Sequence, residues 1–290
     1  MSPSNENPVT RLRRRLGAPG LVLMPCCFDA LSARLIAAAG FEVTFMSGFA
    51  VSAARIGAPD TGLISYAEML DQGRNVCAAC TIPVIGDGDT GYGNAVNVKR
   101  TVKGYAQAGF AGVMIEDQVL PKRCGHTEGK QVVARDEALK RIQAAVDARN
   151  EGSDIVIVAR TDARATHGLE EALDRARAFA AIGADVIFVE ALISREEMRA
   201  ACASSDRPML ANMLEGGKTP VLPPNELEAI GYKLAAYPLT LLNAAVVAMR
   251  DALASLARGE SPARLLPFDE LQRVVGFDVY DAEAKRYAAS

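Results

Sequence analysis

A closed (β/α)8 barrel, the TIM-type fold, is the class that this 290-residue chain predicts. Three observations carry the prediction. Short runs of continuous apolar character alternate with segments of helical spacing, as strands buried on both faces of a parallel sheet alternate with their crossover helices. Eight such runs occur, the strand count that closes a barrel of this type. Finally, polar residues follow the runs, at the C-terminal strand ends where these barrels gather their chemistry.

In chain order, residues 1–10 read as a flexible arm, because Ser, Asn, Glu and Pro dominate through Pro8. Arg13 to Arg15 read as a solvated helix face. The catalytic barrel is placed at 11–258, with strands expected at Leu21–Met24, Val43–Met46, Ile82–Ile85, Gly112–Ile115, Ile155–Val158, Val186–Val189, Met209–Ala211 and Lys233–Ala236. Helical spacing is clearest through Leu139, Ile142, Ala145 and Val146, through Leu169, Ala172, Leu173, Ala176 and Ala180, and from Leu239 to Leu256. Residues 259–290 form a helical extension that includes Phe268 to Val275 and that a barrel does not need. It caps the barrel or reaches a neighbouring subunit.

Composition narrows the function. A net charge of −3 and a pI near 5.6 give no electrostatic reason for nucleic acid or an anionic membrane as partner. No apolar run approaches the ~20 residues of a membrane span, so the expectation is a soluble cytoplasmic protein. Six cysteines without a secretory signal suggest reduced thiols. Cys77 and Cys80 form a lone C-x-x-C among alanines, which reads as helix packing. With only His126 and His167, a three-histidine metal site is excluded.

The strand ends carry the candidate chemistry. Gly86-Asp87-Gly88-Asp89-Thr90-Gly91 matches a dinucleotide loop literally, yet two aspartates there would repel a pyrophosphate. A cation site suits them better, since Mg²⁺ keeps several waters and needs only one or two direct carboxylates. Asp60 and Glu116 complete an acidic ring with Asp87 and Asp89. Arg160 ends an apolar run and can clamp a substrate carboxylate, the alternative being a structural ion pair. Ser47 and Gly48 offer small-residue donors to a second carboxylate or oxyanion.

About twenty residues separate Ile115 from the helix near Asp136, against roughly 2 to 6 for an ordinary barrel connection. Connections of this length are often lids. Within this one, Cys124 lies among Lys122, Arg123 and His126, whose charges favour a thiolate able to exchange protons near neutral pH.

From about Leu21 onward, Ser47-Gly48, Asp60, Asp87 to Gly91, Glu116-Asp117-Gln118, Lys122 to His126, Arg160-Thr161-Asp162 and Asn212 with Gly217 to Pro220 occur in order. On these motifs the chain resembles the isocitrate lyase and phosphoenolpyruvate mutase superfamily. The resemblance implies a barrel whose eighth helix is exchanged between subunits, and a homotetramer. It also implies Mg²⁺, with Mn²⁺ as a substitute, held directly by Asp87 and through waters by Asp60, Asp89 and Glu116. Ser47, Gly48, Phe49, Arg160, Glu190 and Asn212 match substrate contacts, and Cys124 matches the proton donor on a gating loop.

That loop motif resembles the lyase branch. Phe45 stands where isocitrate and methylisocitrate lyases typically carry tyrosine, and Phe49 where methylisocitrate lyases tend to have glycine. Both remove polarity or add apolar bulk, which disfavours a third substrate carboxylate. Pro238 stands where oxaloacetate-hydrolysing members tend to have serine. The expected reaction is therefore retro-aldol cleavage of a 2-hydroxy dicarboxylate, a 2-alkylmalate such as 2,3-dimethylmalate, to a 2-oxo acid and a carboxylate. Methylisocitrate cleavage, oxaloacetate hydrolysis or decarboxylation, phosphonate-forming mutase activity and a non-catalytic di-acid binder are the alternatives.

Overall fold

The structure, a computed structural model, describes residues 6–125 and 129–288. Eight strands close into a barrel in sequence order: β1 (Val22–Cys27), β2 (Thr44–Met46), β3 (Val84–Asp87), β4 (Gly112–Glu116), β5 (Val156–Thr161), β6 (Val186–Val189), β7 (Met209–Asn212) and β8 (Leu234–Tyr237). All pairings are parallel, and β8 closes on β1 with Val22 opposite Leu234. Each expected apolar run contributes a strand. Several strands run beyond their apolar residues, because the ladder continues into the polar ends: Glu116 of β4 lies opposite Arg160 of β5.

Side chains alternate across a strand, so every second residue faces the barrel interior. Val22, Met24, Cys26, Phe45, Ile85, Met114, Val156, Val158, Val186, Phe188, Leu210, Leu234 and Ala236 form one buried cluster there. The same alternation carries the inward row on to Asp87, Glu116, Arg160, Glu190 and Asn212 at the strand ends. Outward residues such as Val113, Ile115, Ile157, Ala159 and Ile187 belong to a second cluster shared with the surrounding helices.

The helix α1 (Pro8–Gly17) begins within the segment expected as an arm, because Pro8 presets the first turn and the Asn7 side chain accepts the Val9 N–H. Its Val9 and Leu12 join the interior cluster, leaving Arg13 and Arg14 exposed. Around the strands run α2 (Ala30–Ala38), α3 (Gly48–Ile56), α4 (Tyr66–Ala79), α5 (Ala95–Ala108), α6 (Arg135–Asn150), α7 (Ala163–His167), α8 (Leu169–Ile182), α9 (Arg195–Ala203) and α10 (Pro224–Ile230). In α8, Ala172, Leu173, Ala176 and Phe179 are buried, a stripe at the expected helical spacing. Cys77 and Cys80 are free thiols at the end of α4, and burial pushes Cys77 up to about 12, which suits packing.

The chain divides into two compact units, Met1–Leu241 and Leu242–Ser290. The helix α11 (Thr240–Ala257) leads into the second, followed by α12 (Phe268–Val275), which coincides with the expected segment, and α13 (Phe277–Arg286). Among the described residues α11 alone has the length and apolarity of a candidate membrane span, with Arg250 and Asp251 interrupting its course.

Candidate active site

The inward row at the strand ends opens into a cleft. Its polar lining includes Ser47, Asp60, Asp87, Glu116, Lys122, Cys124, Arg160, Glu190 and Asn212. Phe45, Phe49, Met114, Phe188, Leu210 and Pro238 supply apolar wall. The structure thus brings nearly all the sequence-predicted residues together. Asp89 does not line the cleft, His126 lies outside the described residues, and Gly48 contributes its backbone from behind.

Asp87 is organised by main-chain donors. Gly48 N–H donates to its Oδ2 at 3.1 Å and Asp89 N–H to its Oδ1 at 3.0 Å. A Cβ at position 48 would stand 2.5 Å from Asp87 Oδ2, so only glycine lets the start of α3 approach the acid. This N–H, expected from sequence to serve a substrate oxygen, instead serves Asp87. Ser47 caps α3, its Oγ accepting from Ala50 N–H at 3.3 Å.

Burial, followed by the Asp89 charge, raises the Asp87 carboxyl above its ordinary range; burial raises Glu116 further, against the opposing pull of Arg160. Glu116 Oε1 is buried without a hydrogen-bond partner among the described residues. Asp89 instead braces the neighbours: its backbone oxygen accepts Glu116 N–H at 2.9 Å, and its Oδ1 lies 2.7 Å from Lys122 Nζ.

These acids suit a hydrated divalent cation. Among the described residues no three His, Cys, Asp or Glu side chains converge into a closed ligand cage. Mg²⁺ asks for no such cage, since waters can supply most of its ligands. One main-chain-oriented carboxylate at Asp87, an unsatisfied Glu116 oxygen and Asp60, all lining the one cleft, fit that requirement.

Arg160 is nearly buried, with Gly125 packed against its guanidinium. Its Nε and Nη2 donate to Asp162 Oδ2 and Oδ1 at 2.8 and 3.0 Å, and Nη2 lies 3.2 Å from Glu190 Oε2. Glu116 Oε2 is 3.4 Å from Nε, and the guanidinium carbon lies 5.1 Å from the Phe188 ring centre. The structural ion pairing, the alternative read from sequence, is therefore present, and it holds the guanidinium at the cleft wall. Asn212 Nδ2 donates to the same Glu190 oxygen at 3.0 Å.

Of the connection after β4, Lys122 to Gly125 line the cleft. Val119 N–H donates to Gln131 O at 3.0 Å, joining the base of the loop. Gln118 holds Arg123 through both its main-chain groups, donating Nε2 to Arg123 O at 2.9 Å and accepting Arg123 N–H at 3.0 Å. Lys122 reaches the acids, with Nζ 2.5 Å from Asp60 Oδ1. Burial opposes its charge, but Asp89 and Asp60 more than offset this and hold the ammonium protonated. From sequence Lys122 is a neighbour that favours a Cys124 thiolate; in the structure its charge is directed to the acid ring. Gly125 closes on the barrel, where an added Cβ would meet Arg160 Nη2 at 2.3 Å and Glu190 Cγ at 2.7 Å.

Three buried residues escaped the sequence-based site. Gln118 anchors the loop, Asp162 holds Arg160, and Lys130 donates to Asp162 Oδ1 at 2.7 Å and to Gly125 O at 2.5 Å. Asp162 carried a legible signal, because residues 160 and 162 share one side of an extended chain. Behind it Asp117 accepts Asp162 N–H at 2.9 Å, Thr161 Oγ1 at 2.6 Å and Arg175 Nη1 at 3.0 Å.

Residues 12–257 match the phosphoenolpyruvate phosphomutase family model. The chain is 40% identical over 286 residues to the 2,3-dimethylmalate lyase of Eubacterium barkeri, covering 97% of this chain and 99% of the relative. It is 42% identical over 288 residues to a probable 2-methylisocitrate lyase 2 of Corynebacterium glutamicum, covering 96% and 92%. An oxaloacetate acetylhydrolase holding the inhibitor 3,3-difluorooxalacetate superposes with a TM-score of 0.93 at 34% identity, over 98% of this chain and 100% of that one. A phosphonopyruvate hydrolase complexed with oxalate and Mg²⁺ superposes with a TM-score of 0.87 at 29% identity, over 97% and 99%.

Proposed function

The chain belongs to the phosphoenolpyruvate mutase/isocitrate lyase superfamily, and from that premise we propose that it is a carbon–carbon lyase cleaving a 2-alkylmalate such as 2,3-dimethylmalate to a 2-oxo acid and a carboxylate. The observation that carries the substrate choice is the pairing of Phe45 and Phe49 in the wall of the cleft that also holds Asp87, Glu116, Arg160 and Cys124. Apolar rings suit an alkyl substituent and leave a third carboxylate without a partner on that side.

Asp87 is the direct ligand for Mg²⁺ in this reading, with Asp60, Asp89 and Glu116 holding its waters; Mn²⁺ can replace it. A bound cation supplies Lewis-acid stabilisation of negative charge on the substrate's oxygens. Arg160, with Asn212 and Glu190 beside it, orients a substrate carboxylate, and Ser47 contributes its hydroxyl. The 2-hydroxyl gives up its proton to a base in the cleft and its oxygen becomes the ketone oxygen as the bond from the hydroxyl-bearing carbon to its neighbour breaks. The electron pair of that bond moves to the carbon beside the departing carboxylate. Cys124 gives its proton to that carbon. The lid from about Val119 to Gln131 excludes water while the carbanion exists, and the exposed face of Phe49 meets the alkyl group.

The exchanged eighth helix belongs to the same proposal. α11 has no buried residue and exposes Val247, Met249, Leu253 and Leu256. The first unit separately carries an apolar groove that includes Leu23, Pro25, Leu35, Ile36, Ala39 and Phe41. A homotetramer built by exchanging α11 covers such surfaces; a monomeric mass by light scattering would overturn it. A cytoplasmic location fits a metabolic enzyme with free thiols.

The decisive experiment is a product assay with Mg²⁺ on 2,3-dimethylmalate, methylisocitrate, oxaloacetate and a phosphonopyruvate. Formation of a 2-oxo acid and a simple carboxylate from the 2-alkylmalate is expected. Turnover of methylisocitrate alone, release of oxalate from oxaloacetate, or phosphoryl rearrangement would each replace the proposal. Binding without turnover of any of them would make the protein a di-acid binder.

A further inference from the structure

We propose that Lys130 is a positioning residue that latches the lid to the Arg160 clamp, so that the thiol of Cys124 is delivered only when the clamp is set. This rests on the reading of Cys124 as the proton donor, and not on which di-acid is cleaved. The Lys130 side chain is 3% exposed, an unusual place for an ammonium. Among the described residues, one of its contacts lies within the loop and one crosses to the barrel. One is the carbonyl oxygen of Gly125, the residue after Cys124, at 2.5 Å; the other is Asp162 Oδ1 at the end of β5, at 2.7 Å.

Asp162 is the carboxylate that grips Nε and Nη2 of Arg160 at 2.8 and 3.0 Å. A single carboxylate therefore serves two cations, one on the barrel and one on the lid. Asp117 and Arg175 fix Asp162 from behind through its own N–H and the neighbouring Thr161 hydroxyl, so the acid cannot follow the lid. When the lid lifts, the Lys130 ammonium leaves and Asp162 faces Arg160 alone. When it settles, Lys130 shares the carboxylate, and the carbonyl beside the thiol is drawn to the same point. Lys122, bonded to Asp60 and Asp89, anchors the other limb of the lid at the acid ring. The lid thus has two ionic feet, one on the acids and one on the clamp, with Cys124 between them.

The test pairs Lys130→Met with Lys130→Arg, reading Cys124 alkylation by iodoacetamide through peptide mass spectrometry in the full chain, together with kcat and KM for the substrate that the wild type turns over. Lys130→Met should speed Cys124 alkylation by about tenfold or more, because an unlatched lid opens more often. It should also lower kcat by about tenfold or more while changing KM by less than about threefold, since only closure and thiol delivery suffer. Lys130→Arg, which keeps a cation within reach of Asp162, should recover part of both. Unchanged alkylation in folded Lys130→Met, or a rise in KM with kcat intact, would overturn the latch. If Lys130→Met does not fold, Lys130→Arg decides alone: alkylation and kcat within about twofold of wild type, with the lid's amide-exchange protection retained, supports the latch, and loss of kcat with alkylation unchanged refutes it. A wild type inert to every di-acid would sink the functional proposal while the alkylation arm still judges the latch.

Discussion

Gly48 donates its N–H to Asp87 Oδ2 at 3.1 Å, and the Cβ it lacks would stand 2.5 Å from the same oxygen. The acid assigned to the metal is thereby set by the backbone at the start of α3, and the position tolerates no side chain.

Gly48→Ala should therefore displace Asp87. The outcome expected is a fall in Mg²⁺ affinity of about tenfold or more, as outer-shell changes commonly produce, with a stability loss of roughly 1–3 kcal/mol from overpacking. Isothermal titration with Mg²⁺ and thermal unfolding read the two effects. Wild-type affinity in a folded variant would remove Gly48 from the site.

Cys124→Ser keeps the shape of the lid tip but substitutes a hydroxyl that is a far weaker acid. Loss of proton donation should cut kcat by about 10² to 10⁴-fold and leave Mg²⁺ titration unchanged. Full activity in the variant would take the thiol out of the mechanism.

Phe49→Gly opens the apolar side of the cleft. The ratio of kcat/KM for methylisocitrate over 2,3-dimethylmalate should rise by about tenfold, the scale of discrimination an apolar pocket provides. A ratio that stays put would show that Phe49 does not set substrate size.

Asp162→Asn tests the electrostatics of the clamp. Burial works to raise the Asp162 carboxyl, but Arg160 and Lys130 overcome it and hold the group well below the usual carboxylate range. A folded-state pKa below the unfolded value near 3.9 means that the unfolded chain takes up the proton first as pH falls. This contribution to stability is present at neutral pH and fades from about pH 5 downward. The variant should lose about 3 kcal/mol or more at pH 7, because two buried cations lose their partner. Its stability should depend less steeply on pH between about 5 and 3 than that of the wild type. Parallel acid limbs in urea melts of both proteins would refute the assignment.

Much of the molecule was legible in one dimension. Eight apolar runs with helical segments between them specify a barrel, because continuous apolar strands need cover on both faces and parallel neighbours need crossover helices. Inward alternation then places Glu116, Arg160 and Glu190 in the mouth. Strand ends were read short at β5, where hydrogen bonding to neighbouring strands continues through Thr161 although apolarity stops at Ala159. The early start of α1 depended on a local signal, Asn7 before Pro8, that composition alone obscured.

The lid's attachments were not legible, for a physical reason. A loop has no repeating geometry, so nothing in residues 119–131 indicates which way a side chain points: Lys122 read as a neighbour of the Cys124 thiol, and nothing singled out Lys130. Sequence by itself determined the barrel, the inward row of acids and Arg160, and the thiol that accompanies them, because each follows from a backbone period or a local run of residue types. Tertiary structure alone decided that Gly48 serves Asp87, that Lys122 faces the acids and that Lys130 shares Asp162 with Arg160. Such contacts arise from packing between segments tens of residues apart, where distance along the chain carries no information about distance in space.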